Sequence, residues 1–133
     1  MTRSKHSTIV LLFLWPLVLS LQAQQNNVDE TLRVFIFAGQ SNMVGSDSKV
    51  KDIKRFPPFE GLEAPQSKVL FSYCIGRQNK MRSDGWVVLQ HVNNVVGPEL
   101  SFARKVTQHI KAPIAIIKCA AGGTHLGGDW NPD

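Results

Sequence analysis

The chain has 133 residues, which is enough for about one domain. Its formal net charge is +5, and the basic residues near position 50 alternate with Asp47 and Asp52, so the charge pattern argues against a nucleic-acid site. The cysteines and histidines lack paired metal-ligand spacing, and no glycine pattern matches a nucleotide-binding loop, so neither a metal nor another cofactor is expected.

Residues 1–23 have the pattern of a secretory signal peptide. Arg3 and Lys5 form a basic start, residues 9–21 are mostly apolar, and Ala23 offers a small residue for cleavage. The apolar stretch is shorter than the about 20 residues of a membrane span, and an uncleaved anchor is the alternative. The sequence therefore predicts a secreted or otherwise extracytoplasmic protein whose domain covers residues 30–133.

The first half of this domain is predicted to contain two strands joined by a long loop. Residues 32–38 are apolar apart from Arg33, which is typical of a strand covered on both faces of a parallel sheet. Prolines, a glycine and mixed charges at residues 46–66 indicate a surface loop, with room for a helical turn. A second strand is predicted at residues 69–73.

The second half is predicted to contain a helix and a further strand. A polar turn at residues 77–85 precedes residues 86–89, which suit an edge strand or a segment packed over the sheet end. Apolar spacing predicts a helix over residues 99–110, preceded by Gly97-Pro98 and stopped by Pro113. A third strand follows at residues 114–119. This order predicts a doubly wound α/β sheet in which the loops after the first and third strands open on one edge.

Cys74 and Cys119 each lie at the end of a predicted strand, and an exported protein can form a disulfide. If these strands flank a shared central strand, they are about 9–10 Å apart at the usual strand spacing. A disulfide needs Cα atoms within about 7 Å. We therefore expect two separate thiols.

Ser41 is the candidate nucleophile, because it follows a strand end and Gly39 in a tight turn. A serine hydroxyl needs a base to take its proton. Of the histidines at positions 91, 109 and 125, His125 follows a glycine turn that could bring it to the same sheet edge, so it is the alternative base. Each feature alone also has a purely structural explanation, since serines and glycines are common in turns.

Three sequence blocks in order form a more specific pattern. They are residues 39–43 (Gly-Gln-Ser-Asn-Met), residues 97–103 after Trp86, and residues 117–124, which are followed by a Trp-Asn-Pro segment at residues 130–132. The pattern resembles the sialate O-acetylesterase and carbohydrate esterase family 6 group of the SGNH hydrolase superfamily. The resemblance extends from about residue 34 to the end of the chain.

This resemblance implies a three-layer α/β/α fold with a flavodoxin-like parallel sheet. It implies hydrolysis of acetyl esters on sugars of the sialate or plant-polysaccharide type, with Ser41 attacking the acetyl carbonyl. The backbone N–H groups of Ser41 and Gly97 would bind the oxyanion. The other residues expected around this pocket are Gln40, Asn42, Glu99, Gly122, Gly123 and Thr124.

Members of this group continue past the Gly-Gly-Thr block. They carry a Gln-Gly-Glu segment that completes the oxyanion hole and an Asp-x-x-His pair that supplies the base, and neither occurs before Asp133. The chain is therefore expected to be the N-terminal part of the esterase domain, incomplete at its C-terminal side and inactive alone. The alternatives are a non-catalytic carbohydrate-binding protein or pseudoenzyme, or a fragment that does not fold alone.

Overall fold

The computed structural model describes residues 31–132, apart from the side chain of Asn79. The predicted signal peptide and its cleavage point lie outside the described residues. No helix within residues 31–132 is long and apolar enough to cross a membrane.

Strands and helices alternate along the described chain. The elements are β1 (Arg33–Gly39), α1 (Ser41–Val44), β2 (Gln66–Ile75), β3 (Met81–Arg82), β4 (Val87–Leu89), α2 (Pro98–Val106) and β5 (Ile114–Ala120). Short 3₁₀ helices at Val50–Arg55, Pro57–Phe59 and Arg77–Asn79 lie in the loops. The three predicted main strands and the helix are present, and the long loop contains helical turns.

The strands form one mixed sheet with β5 at its centre. Both β1 and β2 pair with β5 in parallel, while β3 and β4 pair with β2 in the antiparallel direction. The predicted α/β fold class is confirmed, and the described residues form an incomplete version of it.

The strand neighbours assumed for the two cysteines were wrong. The crossover through α2 returns β5 to a position between β1 and β2, so β2 and β5 are adjacent. Cys74 therefore lies directly opposite Cys119 in the register, and the two cysteines are not joined by a disulfide in this structure.

Helix α2 covers one face of the sheet. The Phe102 ring packs edge-on against Phe35 and Phe37, with centroid distances of 4.9 and 5.2 Å. The residues fully buried on or near this side include Leu62, Val69, Phe71, Leu89, Leu100 and Ile116. This layer holds the main core.

The opposite face of the sheet is open among the described residues. It presents Val34, Ile36, Leu70 and Ile117, and Ile36 is 73% exposed. The expectation that β1 is covered on both faces is thus not met within residues 31–132. The continuous apolar sequence of β1 is typical of a strand that is covered by a layer on each face of the sheet.

Helix α2 ends four residues earlier than predicted. The Thr107 hydroxyl donates hydrogen bonds to the carbonyl oxygens of Ala103, at 2.9 Å, and Arg104, at 3.2 Å. Such side-chain bonding competes with continued helix. The helix start agrees with the prediction, with Gly97 at the N-cap and Pro98 in the first turn.

Candidate active site

Ser41 is the first residue of α1, immediately beyond the carboxyl end of β1. A Cβ atom added to Gly39 would lie 3.0 Å from the Cβ of Met43, so the turn between strand and helix leaves little room for a side chain. Ser41 is half-buried, and its neighbours Gln40 and Asn42 are exposed. The strand-to-helix turn therefore places the serine at the sheet edge.

The turn that carries Ser41 packs against the loop that leads into α2. Gly45 ends α1 with φ of 83°, and an added Cβ would lie 2.5 Å from the carbonyl oxygen of Val96 and 2.9 Å from the Cα of Gly97. The backbone N–H of Val96 also donates to the carbonyl of Ser48, at 2.9 Å. The chain just after the first sequence block is therefore in close backbone contact with the start of the second block.

The third block reaches Ser41 from β5. The N–H of Ala121 donates to the carbonyl of Gly39, at 3.0 Å, and continues the pairing of β1 and β5 beyond the strands. A Cβ added to Gly122 would lie 3.8 Å from the Cβ of Ser41. Gly122 is thus a direct neighbour of the serine.

A buried ion pair lies beneath these loops. The Lys118 ammonium and the Glu99 carboxylate are each about 1% exposed, with Nζ 2.7 Å from Oε2. Lys118 Nζ also donates to the carbonyl of Val44, at 3.3 Å, which is the last residue of α1. The pair therefore connects the serine helix, the start of α2 and the central strand.

Burial lowers the pKa of Lys118 from its ordinary value, and the charge and hydrogen bond of Glu99 partly offset this effect. The pair also explains Gly97, because a side chain there would overlap Lys118 Nζ and the Glu99 carboxylate. Sequence reasoning gave Lys118 no role. The available signal was a lysine within the apolar run of residues 114–120.

Thr124 stabilises the turn after β5. Its hydroxyl donates to the carbonyl of Ala121, at 2.7 Å, and accepts the indole N–H of Trp130, at 2.9 Å. Arg77 donates to the carbonyl of Gly123 and so connects this turn to the loop after β2. Thr124 is buried, while Gly122 and Gly123 are exposed.

The three histidines within residues 31–132 have different environments. His109 is exposed in the turn after α2, and His91 has a buried Nδ1 without a hydrogen-bond partner in the described part of the chain. His125 is exposed, with its Nε2 3.8 Å from Asp129 Oδ2. It lines a cleft of about 300 Å³ together with Gln40.

A larger cleft of about 510 Å³ lies next to the serine turn. It is lined by Asn42 and Gly97 from the predicted site, and by Phe56 and Phe59 from the long loop. The two aromatic residues were not predicted to belong to a site, because the loop lacks the periodicity that places side chains. Within residues 31–132, no group of three or more His, Cys, Asp or Glu side chains could hold a metal ion.

Comparison with solved structures gives a related fold. A protein from Arabidopsis thaliana, solved by X-ray crystallography, has 27% sequence identity and a TM-score of 0.50. The match covers 75% of this chain and 44% of that chain, so the present chain spans less than half of the plant protein's length. A search of curated proteins found no match.

A family model matches the whole described chain. The model, described as carbohydrate esterase, sialic acid-specific acetylesterase, matches residues 31–133. The match includes the serine turn, the Gly97 loop and the turn after β5. The chain therefore belongs to the carbohydrate esterase family of sialic acid-specific acetylesterases.

Proposed function

We propose that the complete protein removes acetyl groups from O-acetylated sugars by two-step acyl transfer through Ser41. The observation that carries this proposal is the packing of three separate chain segments around the turn and short helix that begin with Ser41. Gly97 packs against Gly45 at the end of the serine helix, and Gly122 is a direct neighbour of Ser41. Family membership supports the acetyl-ester chemistry.

In the first step, a base takes the proton of Ser41 while its oxygen attacks the acetyl carbonyl. The backbone N–H groups of Ser41 and Gly97 bind the oxyanion that develops. Such donors act strongly because they are fixed before the reaction begins. The sugar oxygen then takes a proton and leaves, and an acetyl group remains on Ser41.

In the second step, the base activates water, which attacks the acetyl group on Ser41. Acetate leaves and the serine hydroxyl is restored. We propose that this base is a histidine located outside the described residues. His125 is the internal alternative, because it lines a cleft with Gln40, the residue before Ser41, and has Asp129 beside it.

The proposed substrate is an acetylated sialate or plant polysaccharide, and the large cleft beside Asn42 and Gly97 would hold part of the sugar. Its aromatic residues, Phe56 and Phe59, offer apolar surface for a sugar ring. Export through residues 1–23 would bring the enzyme to such extracellular carbohydrates.

The test is hydrolysis of p-nitrophenyl acetate and an acetylated sugar by the complete natural protein. Ser41→Ala should lower kcat by several orders of magnitude, because loss of a nucleophile removes the covalent route. Ser67→Ala is the matched control, since Ser67 is exposed near the opposite end of β2. Wild-type kcat in a folded Ser41→Ala variant would exclude the proposed mechanism.

A further inference from the structure

Cys74 and Cys119 are direct partners in the register of two parallel strands. Partners in adjacent strands point to the same face of a sheet and are about 4.8 Å apart. A disulfide needs a Cα separation of about 4.4–6.8 Å. The two backbones therefore already have a separation suitable for a disulfide.

The two thiols also interact with each other. Burial, and then the charge and hydrogen bonding of Cys74, raise the pKa of the Cys119 thiol. A hydrogen bond between the thiols places the sulfur atoms close together. The thiols are thus neighbours in space as well as partners in the register.

Within residues 31–132, small reagents have access to this pair from the open face of the sheet. Cys119 is exposed, Cys74 is half-buried, and both line a cleft of about 380 Å³. Arg77 lines the same cleft, where it is paired with Asp129 at 3.5 Å. The two cysteines that are opposite each other in the register are thus also accessible from a cleft.

We propose that Cys74 and Cys119 form a redox-active pair that a small-molecule disulfide oxidises to an intramolecular disulfide. One cysteine thiolate attacks a sulfur of the reagent and releases the first reagent thiolate. The second cysteine thiolate then attacks the protein sulfur of this mixed disulfide and releases the second. The protein pair loses two protons and two electrons, and the reagent is reduced to two thiols.

The bond would join β2 and β5 at their carboxyl ends. Cys119 precedes the turn that carries Gly122, and Cys74 precedes the loop that carries Arg77. Arg77 and Gly123 already connect these two loops. The disulfide would add a covalent connection below the segment that contacts Ser41, independent of whether the esterase proposal holds.

The test is to treat the complete natural protein with oxidised glutathione and analyse it by intact mass and non-reducing peptide mapping. We expect loss of two hydrogen masses and a peptide pair linked through Cys74 and Cys119. The native protein should close this bond at least about tenfold faster than the same protein in concentrated urea, because the fold holds the thiols together. Its Tm should rise on the order of 10 °C and return on reduction.

Cys74→Ser and Cys119→Ser are the matched controls. Each should stop at a single mixed disulfide with glutathione and show no rise in Tm. Glutathione on both cysteines of the wild-type protein would overturn the proposal. Equal closure rates in native and urea-treated protein would also overturn it.

Discussion

At the scale of single residues, Lys118 is the main residue that sequence reasoning left without a role. Its ammonium neutralises Glu99 and donates to the carbonyl of Val44, so one side chain contacts both the serine helix and the start of α2. A buried charge is costly without a partner. We therefore expect the site to depend on this pair.

Lys118→Met leaves the Glu99 carboxylate buried and unpaired. The free energy of unfolding should fall by about 3–5 kcal/mol, as measured by urea denaturation. Replacing both residues, with Lys118→Met and Glu99→Leu, should recover much of the loss. Lys105→Met is the control at an exposed lysine of α2 and should change stability by less than about 0.5 kcal/mol. Equal stability of the single variant and this control would contradict the prediction.

The lowered pKa of Lys118 predicts a pH dependence. The unfolded chain binds this proton more tightly than the folded protein does. Between the lowered folded value and the ordinary value of 10.5, the unfolding free energy should therefore rise with pH relative to a protein lacking the group. The free energy of unfolding, measured by urea denaturation across alkaline pH, should show this extra positive slope in the wild type but not in Lys118→Met. The same slope in both proteins would exclude Lys118 as its source.

At the scale of elements, the contact between the serine helix and the start of α2 depends on glycine. A side chain at Gly97 would overlap the buried ammonium and carboxylate groups. The sequence identified Gly97 as a helix cap and, through the family resemblance, as an oxyanion donor. Close packing on Lys118 and Glu99 is an additional reason for glycine.

Gly97→Ala should lower both Tm and kcat, because the loop must move away from the ion pair and hence from α1. Gly127→Ala is the matched control, since an added Cβ at Gly127 has no neighbour within 4 Å. Thermal unfolding and acetyl-ester hydrolysis by the complete protein measure the two effects. Wild-type Tm and kcat in Gly97→Ala would show that the loop tolerates a side chain.

Local patterns predicted the strands and α2 because apolar spacing and terminal residues determine these elements. The strand order could not be derived in the same way, because it depends on where the crossover through α2 returns. For this reason, the distance expected between the strands of Cys74 and Cys119 was wrong. The antiparallel strand β3 was also missed, since its two residues lie in a polar turn region. Phe56 and Phe59 could not be assigned to the cleft beside the serine turn, because their loop has no regular spacing of apolar residues.

At the scale of the whole molecule, the described residues form a sheet with one covered face and one open apolar face. Such a surface promotes self-association when nothing covers it. The edge strand β1 adds unpaired backbone groups beside this face.

Residues 24–133 expressed alone should therefore associate and bind a hydrophobic dye. Ile36→Glu and Ile117→Glu should reduce both effects, because each places a charge on the open face. Leu126→Glu is the control, since Leu126 is 84% exposed outside the sheet. Sedimentation of a monomer that binds no dye would contradict the expected behaviour of this face.

The central claim is that Ser41 carries the acetyl group during turnover. The most direct measurement is rapid acid quenching of the complete protein with p-nitrophenyl acetate, followed by peptide mass mapping. We expect one added acetyl group on Ser41. It should be absent in the Ser41→Ala variant and still present in the His125→Ala variant. An acetyl group on another residue, together with normal turnover by Ser41→Ala, would contradict the account.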